Sequence, residues 1–214
     1  MAEWTASLAG LALALIGFGG APVHAERLPP KDECARDAPL AAFNGRLRII
    51  VARKDGRGLL TLVAPDASNG FGDIDAGPKG VAEEWALNRP ATSAVWAELR
   101  DAMALGCARD GASATMPYLS RRIGEQHDPF ETYVAKGTSV AVRAAPDEDS
   151  ARVATLDWDV VTARREQGQP DEWVHIAAPS GYVRRIDLRS PIDYRLVLER
   201  RRGQWTIAAF VVGD

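Results

Sequence analysis

The sequence predicts an α+β protein with a mainly helical N-terminal part, a small β-barrel and a C-terminal β-hairpin. Three observations predict it. Apolar residues recur at helical spacing from about residue 39 to residue 107; beyond "MPYLSRRIGEQHDPF" the period changes to two; and the last 22 residues alternate about a central Arg-Gly pair.

The first 25 residues read as a targeting segment. "LAGLALALIGFGG", Leu8 to Gly20, is an apolar run too short to span a bilayer comfortably, and "APVHA" places small residues at Val23 and Ala25, so a signal peptide cleaved after Ala25 is expected. The n-region "MAEW" carries Glu3 and no Lys or Arg. The alternative, a retained membrane anchor, lacks the basic stop-transfer cluster, and no cysteine stands at the cleavage position to accept lipid. The mature chain, 26–214, then has no membrane span and a periplasmic or secreted address.

Composition narrows the function classes. The whole chain has 26 basic and 29 acidic residues, and signal cleavage would remove Glu3 alone. A mildly acidic chain with no basic tract is not built for nucleic acid. Lysine is scarce, arginine carrying most of the positive charge, which reflects coding bias and not mechanism.

Cys34 and Cys107 both lie in the mature part. An even cysteine count in an exported protein reads first as a disulfide, worth up to about 4 kcal/mol in the chain-entropy model; two buried free thiols are the alternative. A nucleophilic Cys107 is disfavoured, because Trp96, Leu99, Met103 and Cys107 in "ELRDAMALGCARD" fall at helical spacing on one face, a core position.

The helical region is assigned to residues 26–132. Residues 26–37 are polar and extended. "PLAAFNGRLRIIVARKDGRGLLTLVAPD", Pro39 to Asp66, is expected to form two consecutive helices broken near Asp55 and Gly56, with Phe43, Leu47, Ile50, Val51 and Lys54 on a 3.6-residue period. The turn-rich Ala67 to Gly80 holds one short strand around Phe71. "VAEEWALN" and "SAVWAELRDAMALGCA" give further helices, separated by Pro90 and stopped by Gly111.

Residues 133–190 supply the barrel. Strands are expected near Ser139–Arg143, Arg152–Leu156, Asp159–Arg165, Glu172–Ala177 and Gly181–Val183, with Pro and Gly turns between them. "VAVRAAPDEDSARVATLDWDVVTARREQGQPDEWVHIAAPSGYVRRIDL" resembles a bacterial SH3 (SH3b) domain. The elements that carry the likeness are Val142, Arg143 and Pro146 at its opening, Val153, Leu156 and Val160 in the middle, Trp173 with Ile176, and Gly181, Tyr182, Val183 and Leu188 at its close. The sequence departs from the family at Trp158 and Asp159, where a glycine turn is usual, and at Tyr182, where tryptophan is usual.

The resemblance implies an SH3-like β-barrel with a groove for peptides or cell-wall fragments. Fold alone does not fix the ligand. Trp158, Trp173 and Tyr182 are the candidate ligand-binding residues. Weighed together with Trp205, at least two of these aromatics are expected in the barrel core; an exposed aromatic pair on the barrel face would instead be a stacking platform for a sugar or a Pro-rich peptide.

Residues 191–214 are expected to form the hairpin, which would pack on 39–110. Tyr194, Leu196 and Leu198 alternate on one strand, Trp205, Ile207, Ala209 and Val211 on the other, with Arg202 and Gly203 at the turn. This ending, with Phe43 to Phe71 as opening helices, is similar to nuclear-transport-factor-like (SnoaL-like) cone folds.

Catalytic readings find little support. With His24 in the signal peptide, His127 and His175 remain; neither they nor Cys107 sit in a nucleophile-type context, and the His-Glu-x-x-His, Gly-x-Ser-x-Gly and phosphate-loop motifs are absent. His127 and Asp128 are too few to hold a metal, and no cofactor is implied. On the strand "EWVHIAA", His175 is expected to face solvent or a neighbouring domain and Trp173 to be largely buried. The loop carboxylates of "DGRG", "FGDID" and "PDEDS" read as solvated turns, and Arg200 to Arg202 as a charged hairpin tip. The expected function is that of a noncatalytic exported binding protein contacting peptidoglycan or an envelope protein. The alternative is an enzyme or small-molecule binder with a cone-shaped pocket between the helices and the final hairpin; a filled core there favours the first, a deep polar-lined pocket the second.

Overall fold

The computed structural model describes residues 26–68, 76–164, 168 and 170–213. The signal-peptide assignment and the strand expected around Phe71 fall outside these residues.

Twelve strands in three sheets and five helices make up the described chain. The expectation of a mainly helical N-terminal part is overturned. A five-stranded sheet has the order β1-β12-β11-β3-β2, and three of its strands precede residue 117: β1 (Val63–Ser68), β2 (Ala108–Asp110) and β3 (Ser113–Met116). The last two in chain order, β11 (Arg195–Arg201) and β12 (Gln204–Val211), are the hairpin seen in the sequence, turning at Arg202 and Gly203. It forms the middle of this sheet. β12 pairs parallel with β1, and β11 antiparallel with β3.

Local chemistry explains the helices that do form. In α1 (Ala38–Arg53) the Asp37 carboxylate accepts from the Leu40 amide at 3.0 Å, Pro39 occupies the first turn, and Lys54 in left-handed conformation ends the helix. In α2 (Gly56–Leu60) Asp55 caps Gly58 N at 2.9 Å. The second helix stops short of Asp66 because Val63, Ala64 and Pro65 enter β1; proline has no amide to give a central ladder, and β1 is an edge strand. Two further helices, α3 (Pro78–Glu84) and α4 (Val95–Ala104), fall where helices were expected.

Cys107 does not share the face of α4. The helix ends at Ala104, and Gly106, at φ +81, turns the chain so that Cys107 pairs with Asp32. A Cβ at Gly106 would run into the Lys31 backbone. α1 and α4 pack on the five-stranded sheet over one core, which includes Trp96, Leu99, Leu196, Leu198, Ile207 and Phe210.

After the short α5 (Leu119–Arg122) come the strands of a second unit. β10 (Leu188–Arg189), β4 (Thr132–Ala135) and β7 (Val160–Thr162) form one sheet. β6 (Arg152–Leu156), β5 (Val140–Arg143), β9 (Gly181–Arg184) and β8 (Trp173–Ile176) form the other. The two share a core of Val140, Val142, Leu156, Val174, Ile176 and Val183 among others.

The strands therefore do not close into a single barrel, contrary to expectation. The sheets meet through the isolated Ala163–Ile176 bridge. Between β6 and β7 the chain turns at Trp158, φ +58, whose amide donates to Gly137 O at 3.0 Å. The N-terminal segment then takes up hydrogen bonds at this turn: Leu28 N donates to Trp158 O at 2.8 Å and Val160 N to Glu26 O at 2.7 Å.

That segment is a strap joining the two units. Its start lies along Trp158–Val160; its end exchanges backbone hydrogen bonds with Cys107 and carries the Cys34–Cys107 disulfide, Cα atoms 5.8 Å apart. An ionic network backs the anchored end. Arg122 pairs with Glu33 at 2.5 Å and Asp110 at 3.0 Å, Arg109 N donates to Glu33, and the Arg109 guanidinium pairs with Asp37 at 3.0 Å.

The hydrogen bond from Arg122, with the Arg109 amide, holds the Glu33 carboxyl below its usual range; burial opposes the same effect at Asp110 but is outweighed by Arg121 and Arg122. Carboxylates with depressed folded values contribute stability above their ordinary values, about 4, and lose it as pH falls through the lower folded ones. Stability is therefore expected to fall as pH drops from about 5 toward 3, and more shallowly in Glu33→Gln, as read from urea midpoints across that range.

Candidate functional site

The three candidate ligand residues are not assembled into one platform. β8 and β9 pair with Trp173 opposite Arg184, Val174 opposite Val183, His175 opposite Tyr182 and Ile176 opposite Gly181. Period two then sends Val174, Ile176 and Val183 inward, and Trp173, His175, Tyr182 and Arg184 to the other face. Trp173 is buried there at 9% exposure and Tyr182 is half-buried, its ring stacked on His175 with centroids 4.6 Å apart. Trp158 is half-buried in the turn between β6 and β7.

His175 is buried, at 9% exposure, so of the two expected settings, solvent or a neighbouring domain, exposure to solvent is overturned. The alternation put it on the correct face, but Tyr182 covers it. Ser180 Oγ lies 3.4 Å from His175 Nε2, the long end of hydrogen-bond range. His127 pairs with Glu26 of the strap at 2.8 Å. Cys34 and Cys107 are joined, so neither offers a thiolate; Asp32 beside them completes no metal set, because disulfide sulfur is not a thiolate ligand. At the hairpin tip Arg201 pairs with Asp66 and Glu199.

No deep cone opens between the helices and the final hairpin in the described structure. Phe210, Leu196, Leu198, Trp96 and Leu99 fill that interior. A shallow recess of about 190 Å³, lined by Trp85, Ser93, Tyr194 and Phe210 among others, lies at its margin.

A larger hollow lies elsewhere. A cleft of about 1070 Å³ separates α4 and the base of the hairpin from the second unit, and Trp173 stands in its wall while Trp158 and Tyr182 do not. Glu98 and Asp101 come from α4, Tyr194 and Val212 from the ends of the hairpin, and Pro146 to Glu148 from the loop after β5. Ile186 and Val212, at 66% and 49% exposure, put apolar surface on its rim.

Its positive groups are Lys136, Arg184, Arg185 and Arg189. Three are matched: Arg184 with Glu148 and Asp187, Arg185 with Asp193 at 2.8 Å, and Arg189 with the Tyr194 carbonyl and, at 3.8 Å, Asp193. Arg189 is buried, and its Nε lacks a hydrogen-bond partner among the described residues. Lys136, just after β4, is half-buried, and its ammonium makes no hydrogen bond or ion pair among the described residues. Burial, then the nearby Arg189, pushes its pKa down.

These residues escaped the sequence reading. Lys136 is one of few lysines, and "YVRRIDLRS" holds three of the cleft's arginines, which alternation alone reads as strand surface.

No protein-family model matches the chain, and no curated protein matches it. Among the solved structures similar to it is a protein of unknown function from Mycobacterium tuberculosis, 14% identical, aligned over 82% of this chain and 69% of that one with a TM-score of 0.29. A likeness so distant carries no argument. No described helix is long and apolar enough to cross a membrane.

Proposed function

We propose that this is a noncatalytic exported binding protein, periplasmic or secreted, whose second unit acts as an SH3b-type recognition module for cell-wall material or an envelope protein. The observation that carries this reading is the cleft beside that unit, with Trp173 in its wall and Ile186 and Val212 on its rim. An open cleft with apolar rim and charged interior suits an extended ligand held by many contacts. The disulfide agrees with an oxidising compartment. The filled interior beneath the final hairpin leaves the cone-pocket alternative without a specific observation in its favour.

Sedimentation with purified peptidoglycan tests the reading. The mature protein is expected in the pellet, without release of soluble fragments, and Ile186→Asp is expected to weaken retention about tenfold with an unchanged unfolding midpoint. Wild-type protein left in the supernatant, or fragment release, would overturn the peptidoglycan-binding reading.

A further inference from the structure

We propose that Lys136 is the receiving group of a carboxylate subsite in the cleft between α4 and the second unit, taking the free carboxylate of a peptide chain. The inference rests on the binding reading above and names the ligand chemistry within it.

Two independent features converge. The first is Lys136 itself, which lines a cleft of about 1070 Å³, is half-withdrawn from water and makes no ion pair among the described residues, Asp101 and Asp187 acting on it only at longer range. Withdrawing a cation from water without a partner is unfavourable, and an incoming anion relieves that cost. The second is Arg189 behind it, buried and only partly matched by Asp193, with Arg185 further along the same wall. Arg189 Nε is closed to solvent and cannot touch a ligand, so it acts through its field, while the Lys136 Nζ makes the contact.

The rest of the cleft selects among anions. Seven carboxylates line it against four cations, Asp101 from α4 and Asp193 among them. A phosphate dianion pays for that surrounding negative charge twice over, whereas a singly charged carboxylate pays once. The apolar surface of Ile186 and Tyr194 is available to the side chains of a peptide and offers nothing to an inorganic ion.

The experiment uses the full mature chain and three probes: N-acetyl-alanyl-alanine, the same dipeptide as its C-terminal amide, and inorganic phosphate. Titration calorimetry is expected to show the acid binding about tenfold tighter than the amide and tighter than phosphate, one charge-assisted hydrogen bond accounting for the difference. Lys136→Met is expected to abolish the preference for the acid while keeping the wild-type unfolding midpoint, and Lys136→Arg to keep it. Equal binding of acid and amide, no binding of the acid, tighter phosphate, or an unchanged preference in a folded Lys136→Met protein would each overturn the subsite. If wild type still pellets with peptidoglycan while showing no acid preference, the subsite alone fails; if it stays in solution yet prefers the acid, the peptidoglycan reading alone fails.

Discussion

Phe210→Ala is expected to remove about 3–5 kcal/mol of unfolding free energy, the usual cost of deleting a fully buried aromatic side chain. Phe210 is 1% exposed on β12, which lies between β1 and β11. Its ring meets Trp85 edge-on at 5.4 Å and stacks on Tyr194 at 5.0 Å. Truncation therefore opens a hole and also removes two aromatic contacts from their preferred geometries. Because this strand joins the parallel and antiparallel parts of the sheet, neighbouring backbone is poorly placed to collapse into the gap. Urea unfolding should show a lower midpoint with an unchanged slope. A change below about 1 kcal/mol would mean that the interior repacks freely and that β12 is not its centre.

Replacing Cys34 and Cys107 together by alanine is expected to cost up to about 4 kcal/mol, by restoring to the unfolded chain the freedom that a cross-link over 73 positions removes. Both residues are buried, so alanine leaves no unsatisfied polar atom. Reductant should lower the wild-type thermal midpoint and leave that of the double variant unchanged. A thiol count on unfolded, unreduced protein from its native compartment should give none, and two free thiols would remove the basis for the prediction.

What the sequence revealed follows the range of the forces involved. Arg152–Leu156, Val140–Arg143 and the Arg202–Gly203 turn were legible because alternation and turn chemistry act within a few residues. The Cys34–Cys107 disulfide was legible because two cysteines allow one intramolecular pairing and their even count favours it over free thiols. β2 and β3 were not, since three or four residues carry too little pattern to outweigh the helical rhythm before them. Val63 to Asp66 reads as helix because its apolar residues continue a helical supply, and only pairing of β1 with Ile207 and Ala209 far along the chain makes it strand. Openness of the expected barrel had the same origin: Glu26 and Leu28, more than a hundred residues away in sequence, bond to the turn at Trp158.

The site was less legible than the fold. Its candidate aromatics stand out in the sequence by type alone, and of Trp158, Trp173 and Tyr182 only Trp173 lines the cleft. Lys136, Arg189 and Asp101 lie on different elements, and no local pattern announces that a helix and a strand end will face each other across open space.

The strap has a mechanical consequence. Two bodies joined by one peptide link can swing like a gate, but here the chain passes between them three times: along residues 26–34, through 117–131, and back through 189–195. The first passage is clamped at both ends, by backbone hydrogen bonds at Glu26–Leu28 and by a covalent bond at Cys34. A body held at three tethers resists rotation about any single hinge more than one held by a single link, so the space between the units is expected to act as a slot and not as a jaw. On the proposed binding role, a ligand that fits such a slot would spend little of its binding energy on reshaping the host, and one too thick for it would be refused by geometry.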